Sequence, residues 1–176
     1  HIDWDLWVGP SPFHAYDPAY IHGCLKWNRF WDFGSGQIGD MGSHMLDLPY
    51  WALDLRFPTS CKAEGTPVST DTCPEWMNVT WDHPATPERP ALKIHWYDGG
   101  KKPGMPAKVF NRDEMFKGML FKGTKGWLLA DYGFRILQLR GDMTHYDSPT
   151  PEQLIPKSPG HHMEWITGCK TGKPTL

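Results

Sequence analysis

The segment from Trp27 to Trp51 restricts this chain more than any other, because it sets Asp40, His44 and Asp47 beside six aromatic residues and a run of glycines. That is the composition of a polar site walled by rings. After Gly34, Gly36 and Gly39, the apolar residues Met41, Met45, Leu48, Trp51, Ala52 and Leu55 recur mostly three and four apart, which predicts a helix over residues 39–55. Asp40 is placed as its N-cap, and Pro49 predicts a kink or interruption, since proline removes one ladder hydrogen bond. At about 3.6 residues per turn, Asp40, His44 and Asp47 share one stripe, with Ser43 at its edge. Such a stripe can hold a sugar hydroxyl between Asp40 and His44. An imidazole, with an ordinary pKa of about 6.5, can relay a proton there. The same residues admit a plainer role, in which Asp40 caps the helix, His44 is a satisfied core histidine and the glycines only make a turn. A metal would find oxygen and nitrogen ligands in Asp40, His44 and Asp47. Three ligands on one helix need help from a second segment, however, and no metal is expected.

Past this helix the texture changes to alternating, β-rich runs broken by Pro and Gly. Residues 60–68, 76–81, 91–97, 119–122, 127–131 and 135–139 read as strands. Their short connections, such as residues 122–126, favour antiparallel pairing. The expected fold class is therefore α+β: an open, mainly antiparallel β-sheet with helices packed on one face. The chain reads as one domain, residues 1–176, divided into an irregular aromatic arm (1–38), the site helix (39–55), the sheet (60–140) and a Pro-rich tie with a C-terminal helix (141–176). A chain of 176 residues buries about two-thirds of its unfolded surface, enough for a single core. Its 10 Trp, 17 Pro and 18 Gly argue for short elements, many turns and large flat apolar surfaces rather than a helix bundle.

A formal charge of −2 gives no basic footprint, so nucleic acid is not an expected partner. No apolar run approaches the roughly 18 residues that a membrane-spanning helix needs. The chain begins at His1, so a signal peptide would lie upstream, and the compartment, cytoplasmic or periplasmic or secreted, stays open. Cys24, Cys61, Cys73 and Cys169 lack the Cys-x-x-Cys spacing of zinc or redox motifs, and reduced thiols are expected.

Within the aromatic stretch, Arg29 and Asp32 are candidates for polar contacts to a substrate, because charged groups among rings need partners. Trp31 stands beside them and Asp47 completes the helix stripe. Trp4, Trp7, Phe13, Tyr16 and Tyr20 either stack on sugar rings or cover the core; for Trp4 and Trp7 the second is expected. Residues 98–114 and 142–160 read as a long loop and a surface tie. His161 and His162 open a short helical pattern ending near Gly172, a suitable C-terminal cap.

Taken together, Asp3-Trp4-Asp5-Leu6-Trp7-Val8-Gly9-Pro10, Trp31-Asp32-Phe33-Gly34-Ser35-Gly36, Gly39-Asp40-Met41-Gly42-Ser43-His44 and Leu46-Asp47 resemble the C-terminal domain of the Gfo/Idh/MocA oxidoreductases, the glucose-fructose oxidoreductase and inositol dehydrogenase family. The later stretch from His161 to Ile166, then Cys169 to Pro174, fits the same group. The resemblance implies an NAD- or NADP-dependent oxidoreductase acting on a sugar, polyol or glycoside. It implies His44 as acid–base residue, Asp40 as a substrate-holding partner, and one of His161 and His162 near the pocket. It also implies a homo-oligomer through the sheet face.

A dinucleotide fold needs a glycine turn between a strand and a helix. Gly34-x-Gly36-x-x-Gly39 matches only the bare spacing, so the Rossmann domain is absent from these residues and no cofactor-binding residue is assigned. The lysine of the family's Glu-Lys-Pro motif is likewise absent. The chain therefore reads as part of a larger oxidoreductase or as a stand-alone descendant of its substrate domain. Two alternatives stand beside the oxidoreductase: a carbohydrate-binding or oligomerisation module without catalysis, and a cofactor-free hydrolase or lyase using Asp40 and His44.

Overall fold

The computed structural model describes residues 1–104, 118–141, 152 and 156–175. The described residues form two compact units, His1–Gln138 and Leu139–Leu176.

The first unit opens with short helices: α1 (Trp4–Val8), a 3-10 turn at Pro18–Tyr20 and α2 (Cys24–Trp27). Each of the first two is started by an aspartate, Asp3 accepting from the Leu6 amide and Asp17 from the Ala19 amide. The rings of this region pack on one another. Trp4 stacks on Trp7 at 4.7 Å, and Tyr20 meets Phe30 at 4.4 Å and Phe33 at 5.7 Å. Trp4 and Trp7 thus cover a small ring core with Tyr20 and Phe33, which the chain reaches after Pro10, Pro12 and Pro18.

Helix α3 spans Gly36–Ala52. It begins three residues earlier than the spacing predicts, with Ser35 rather than Asp40 at the N-cap. Asp40 lies in the second turn, and the chain enters the helix through Gly36 at φ +75°, a conformation glycine adopts without strain. Pro49 does not end the helix, which runs on to Ala52. A proline removes only its own amide as donor, and its carbonyl still accepts from the Leu53 amide at 3.1 Å.

Strands β1 (Ser60–Gly65), β2 (Met77–His83) and β3 (Leu92–Tyr97) form one antiparallel sheet in the order β1-β2-β3, with Val79 opposite Trp96. Strands β4 (Met119–Lys122), β5 (Gly126–Ala130) and β6 (Arg135–Leu139) form a second, in the order β4-β5-β6. The fold is the expected α+β class with open antiparallel sheets, as two small sheets. Among the described residues the buried apolar side chains are Val8, Leu55, Cys73, Val79, Trp96, Leu129 and Ala130.

The second unit contains α4 (His161–Thr171), closed by Gly172 in the left-handed conformation with its amide on the Gly168 carbonyl. Residues 105–114 of the expected long loop, and residues 142–151 and 153–155 of the expected tie, lie outside the described residues. The four cysteines are free thiols; Cys73 is buried, and burial raises its pKa.

Candidate functional site on the third helix

The site begins with the turn that feeds α3. The Phe33 and Gly34 amides both donate to the Phe30 carbonyl, and the Gly36 amide donates to the Asn28 carbonyl at 2.8 Å. The folded turn is clamped onto the segment before β2: the Cys73 amide donates to Arg29 O at 2.7 Å and the Trp31 amide to Asp71 O at 3.0 Å. Two glycines make this closeness possible. A Cβ on Gly34 would lie 2.5 Å from Asn28 Cα, and one on Gly36 would lie 3.0 Å from Cys73 Cβ. The glycine run is therefore a packing device.

Asn28 ends up 4% exposed, and its Nδ2 donates to Asp40 Oδ2 at 2.7 Å. One turn further on, the ring of His44 is exposed, and Tyr132 lies edge-on to it at a centroid distance of 6.0 Å. Asp47, one turn on again, is exposed. Among the described residues no hydrogen bond joins His44 to Asp40 or Asp47, so the three are aligned by helical periodicity alone. His44 is not the satisfied core histidine of the plainer role, and the Ser43 hydroxyl donates to Asp40 O at 3.0 Å.

The remaining candidates separate. Arg29 reaches Glu75 at 3.9 Å on the surface. Trp31 keeps its ring half exposed while its indole donates to Ser69 O at 3.1 Å. Asp32 pairs with His14, Nε2 to Oδ2, at 2.6 Å. That pair escaped the sequence reading. The two residues are 18 apart with no motif linking them, and His14 is brought in by its backbone carbonyl, which accepts from the Trp4 indole at 2.7 Å.

His161 and His162 belong to the second unit, with ring centroids 4.1 Å apart and both exposed. His161, but not His162, lines a shallow cleft of about 450 Å³ there, with Glu164, Trp165, Gly168, Cys169 and Thr175.

A second buried polar residue also escaped notice. His83, at the end of β2, is 2% exposed and lies under Tyr50 of α3 at 5.6 Å. Among the described residues neither of its ring nitrogens has a partner. Desolvation, seconded by the nearby Arg89 charge, holds its pKa below the usual histidine value.

No group of three His, Cys, Asp or Glu side chains converges on a metal position among the described residues. A dinucleotide does not fit these residues either. The paired strands are antiparallel, no strand leads into Gly34, and Gly34 and Gly36 are already filled by Asn28 and Cys73.

Helix α3 thus carries an exposed histidine between two aspartates, in an α+β unit with open antiparallel sheets. Residues 1–86, just under half of the chain, match the family model described as "Oxidoreductase family, C-terminal alpha/beta domain", the C-terminal domain of the Gfo/Idh/MocA oxidoreductases. The match covers the arm, the turn, α3, β1 and β2, and ends before β3 and before His161 and His162. No curated protein matched the chain.

Proposed function

We propose that the α3 stripe is the substrate site of an NAD(P)-dependent oxidoreductase acting on an uncharged sugar, polyol or glycoside, with His44 moving the proton of the reacting hydroxyl. The observation that carries this reading is His44 itself, a solvent-facing imidazole without a hydrogen-bond partner among the described residues. It lies one turn from a carboxylate already held in place, inside the matched segment. An imidazole can take and return a proton near neutral pH. Asp40 and Asp47 accept hydroxyl protons. α3 carries both carboxylates and no Lys or Arg, which favours neutral ligands over sugar acids and phosphates. The nicotinamide would be bound by residues other than those described.

The test uses the oxidoreductase that contains this domain, assayed with NAD or NADP against neutral sugars and polyols. His44→Ala should lower kcat by roughly 100- to 10,000-fold with the fold intact, the usual range for a lost general base. Unchanged turnover would remove His44 from the chemistry.

A non-catalytic sugar-binding or assembly module is the second reading. Trp51 is 83% and Phe57 90% exposed, and β1 is exposed at every position. A homo-oligomer through the sheet face would cover such surface. It predicts a concentration-dependent mass in solution, with no change in any turnover when His44 is replaced.

A further inference from the structure

We propose that Asn28 is the positioning residue for Asp40. It occupies one carboxylate oxygen and leaves the other as a single, oriented acceptor for a substrate hydroxyl. The hydroxyl belongs to the substrate reading above, whereas the orientation of Asp40 can be measured without it.

Asn28 is held on both sides of its backbone. Its amide donates to Cys24 O at 2.9 Å, its carbonyl accepts from Gly36, and Gly34 closes over its Cα. With the backbone locked and the side chain 4% exposed, the amide projects in one direction, and Asp40 Oδ2 receives it at 2.7 Å. The carboxylate can only accept, so the NH2 end of Asn28 must be the end that faces it. Asp40 Oδ1 has no partner among the described residues.

A carboxylate on an open helix surface samples several rotamers, and ordering it for a ligand costs free energy. A buried amide meets that cost in advance. It also brings no charge, so Asp40 keeps its full acceptor strength. An Arg or Lys in the same place would neutralise it and draw in anions. The spacing Asn28, Gly34, Gly36, Asp40 thus acquires one physical purpose, which is to seat a neutral donor behind the first carboxylate of the stripe.

The test is side-chain NMR on the chain, with myo-inositol as the neutral probe. In the wild type, Asp40 should show the χ1 couplings of a single rotamer and the Asn28 side-chain amide protons should exchange slowly. Asn28→Ala should average the Asp40 couplings and weaken myo-inositol at least 10-fold while the α3 carbonyl shifts stay in place. If Asn28→Ala unfolds, Asp40→Ala supplies the converse: the Asn28 amide protons should lose their protection. A single Asp40 rotamer surviving in Asn28→Ala, averaged couplings already in the wild type, or Asn28 protection unchanged in Asp40→Ala would each overturn the assignment. Failure of myo-inositol and other neutral polyols to bind the wild type would instead sink the substrate reading, with the couplings still deciding the role of Asn28.

Discussion

The two ends of α3 are held by different contacts. At its N-terminal end the contacts are polar and close: Asn28 donates to Asp40, Gly36 donates to Asn28, and two glycines leave no free volume between them. At the C-terminal end Tyr50 lies across the buried ring of His83, Leu55 is buried, and Arg89 donates from Nε to Leu53 O at 2.9 Å and from Nη1 to Pro84 O at 2.8 Å. One end fixes the Asp40 carboxylate; the other seats the helix on the sheet. The first should therefore be sensitive to volume and the second to lost hydrogen bonds and to pH.

The largest expected effect is at the polar end. Gly34→Ala forces a methyl into the Asn28 backbone, which neither residue can avoid by rotating a side chain. Overpacking of this kind should cost about 3 kcal/mol, read as a shift in the denaturant midpoint. A near-neutral result would mean that the turn is not tight and that the two ends do not differ as described. Next comes Arg89→Met, which keeps the aliphatic stem and removes the donors to Leu53, Pro84 and Pro90 carbonyls. Leaving such acceptors unmet should cost about 2 kcal/mol, with hydrogen exchange rising around Leu53 and little change around Asp40. Equal loosening at both ends would merge them into one cooperative seat.

What the sequence made legible follows from the range of each interaction. The six strands were readable because alternation and glycine turns are local, and α3 was readable from its apolar period. The start of α3 was misplaced because Asp40 is a good capping residue by type, while the actual entry depends on Gly36 packing on Cys73, 37 residues away in the chain. The Asn28–Asp40 and His14–Asp32 contacts span 12 and 18 residues, and no periodic pattern announces them. His83 was invisible for a related reason. In the sequence it is one of several histidines in β-rich runs, and only the sheet register and α3 together enclose it. The position of His44, by contrast, came from its spacing to Asp40 and Asp47 and from the motifs around it, both of which are local.

Acidification should act on the C-terminal end. Folded His83 stays neutral because burial lowers its pKa, whereas in the unfolded chain it protonates near the ordinary value of about 6.5. The unfolded state therefore binds more protons below that pH. Stability from this residue is fully present above about pH 6.5 and is lost as pH falls toward the folded pKa. Asp82 adds a separate loss at lower pH. Its hydrogen bonds from Lys93 and Ser60 depress its pKa, so its contribution is present above the ordinary carboxylate value and lost below it. His83→Leu should remove the upper of these two slopes from melting curves and leave the lower one. If the upper slope survived in His83→Leu, the buried histidine would not be its source.

The smallest effect should fall on the residue with the largest proposed role. His44 is exposed and touches only the edge of Tyr132 among the described residues, so His44→Ala should change stability by no more than about 0.5 kcal/mol. Asn28→Ala, in contrast, should alter both stability and the order of Asp40. A substantial loss of stability in His44→Ala would make the imidazole a structural part of the helix surface. The distinction between an end that orients Asp40 and an end that seats the helix would then fail. A neutral melt combined with lost turnover is the pairing that the proposed proton-transfer role of His44 predicts.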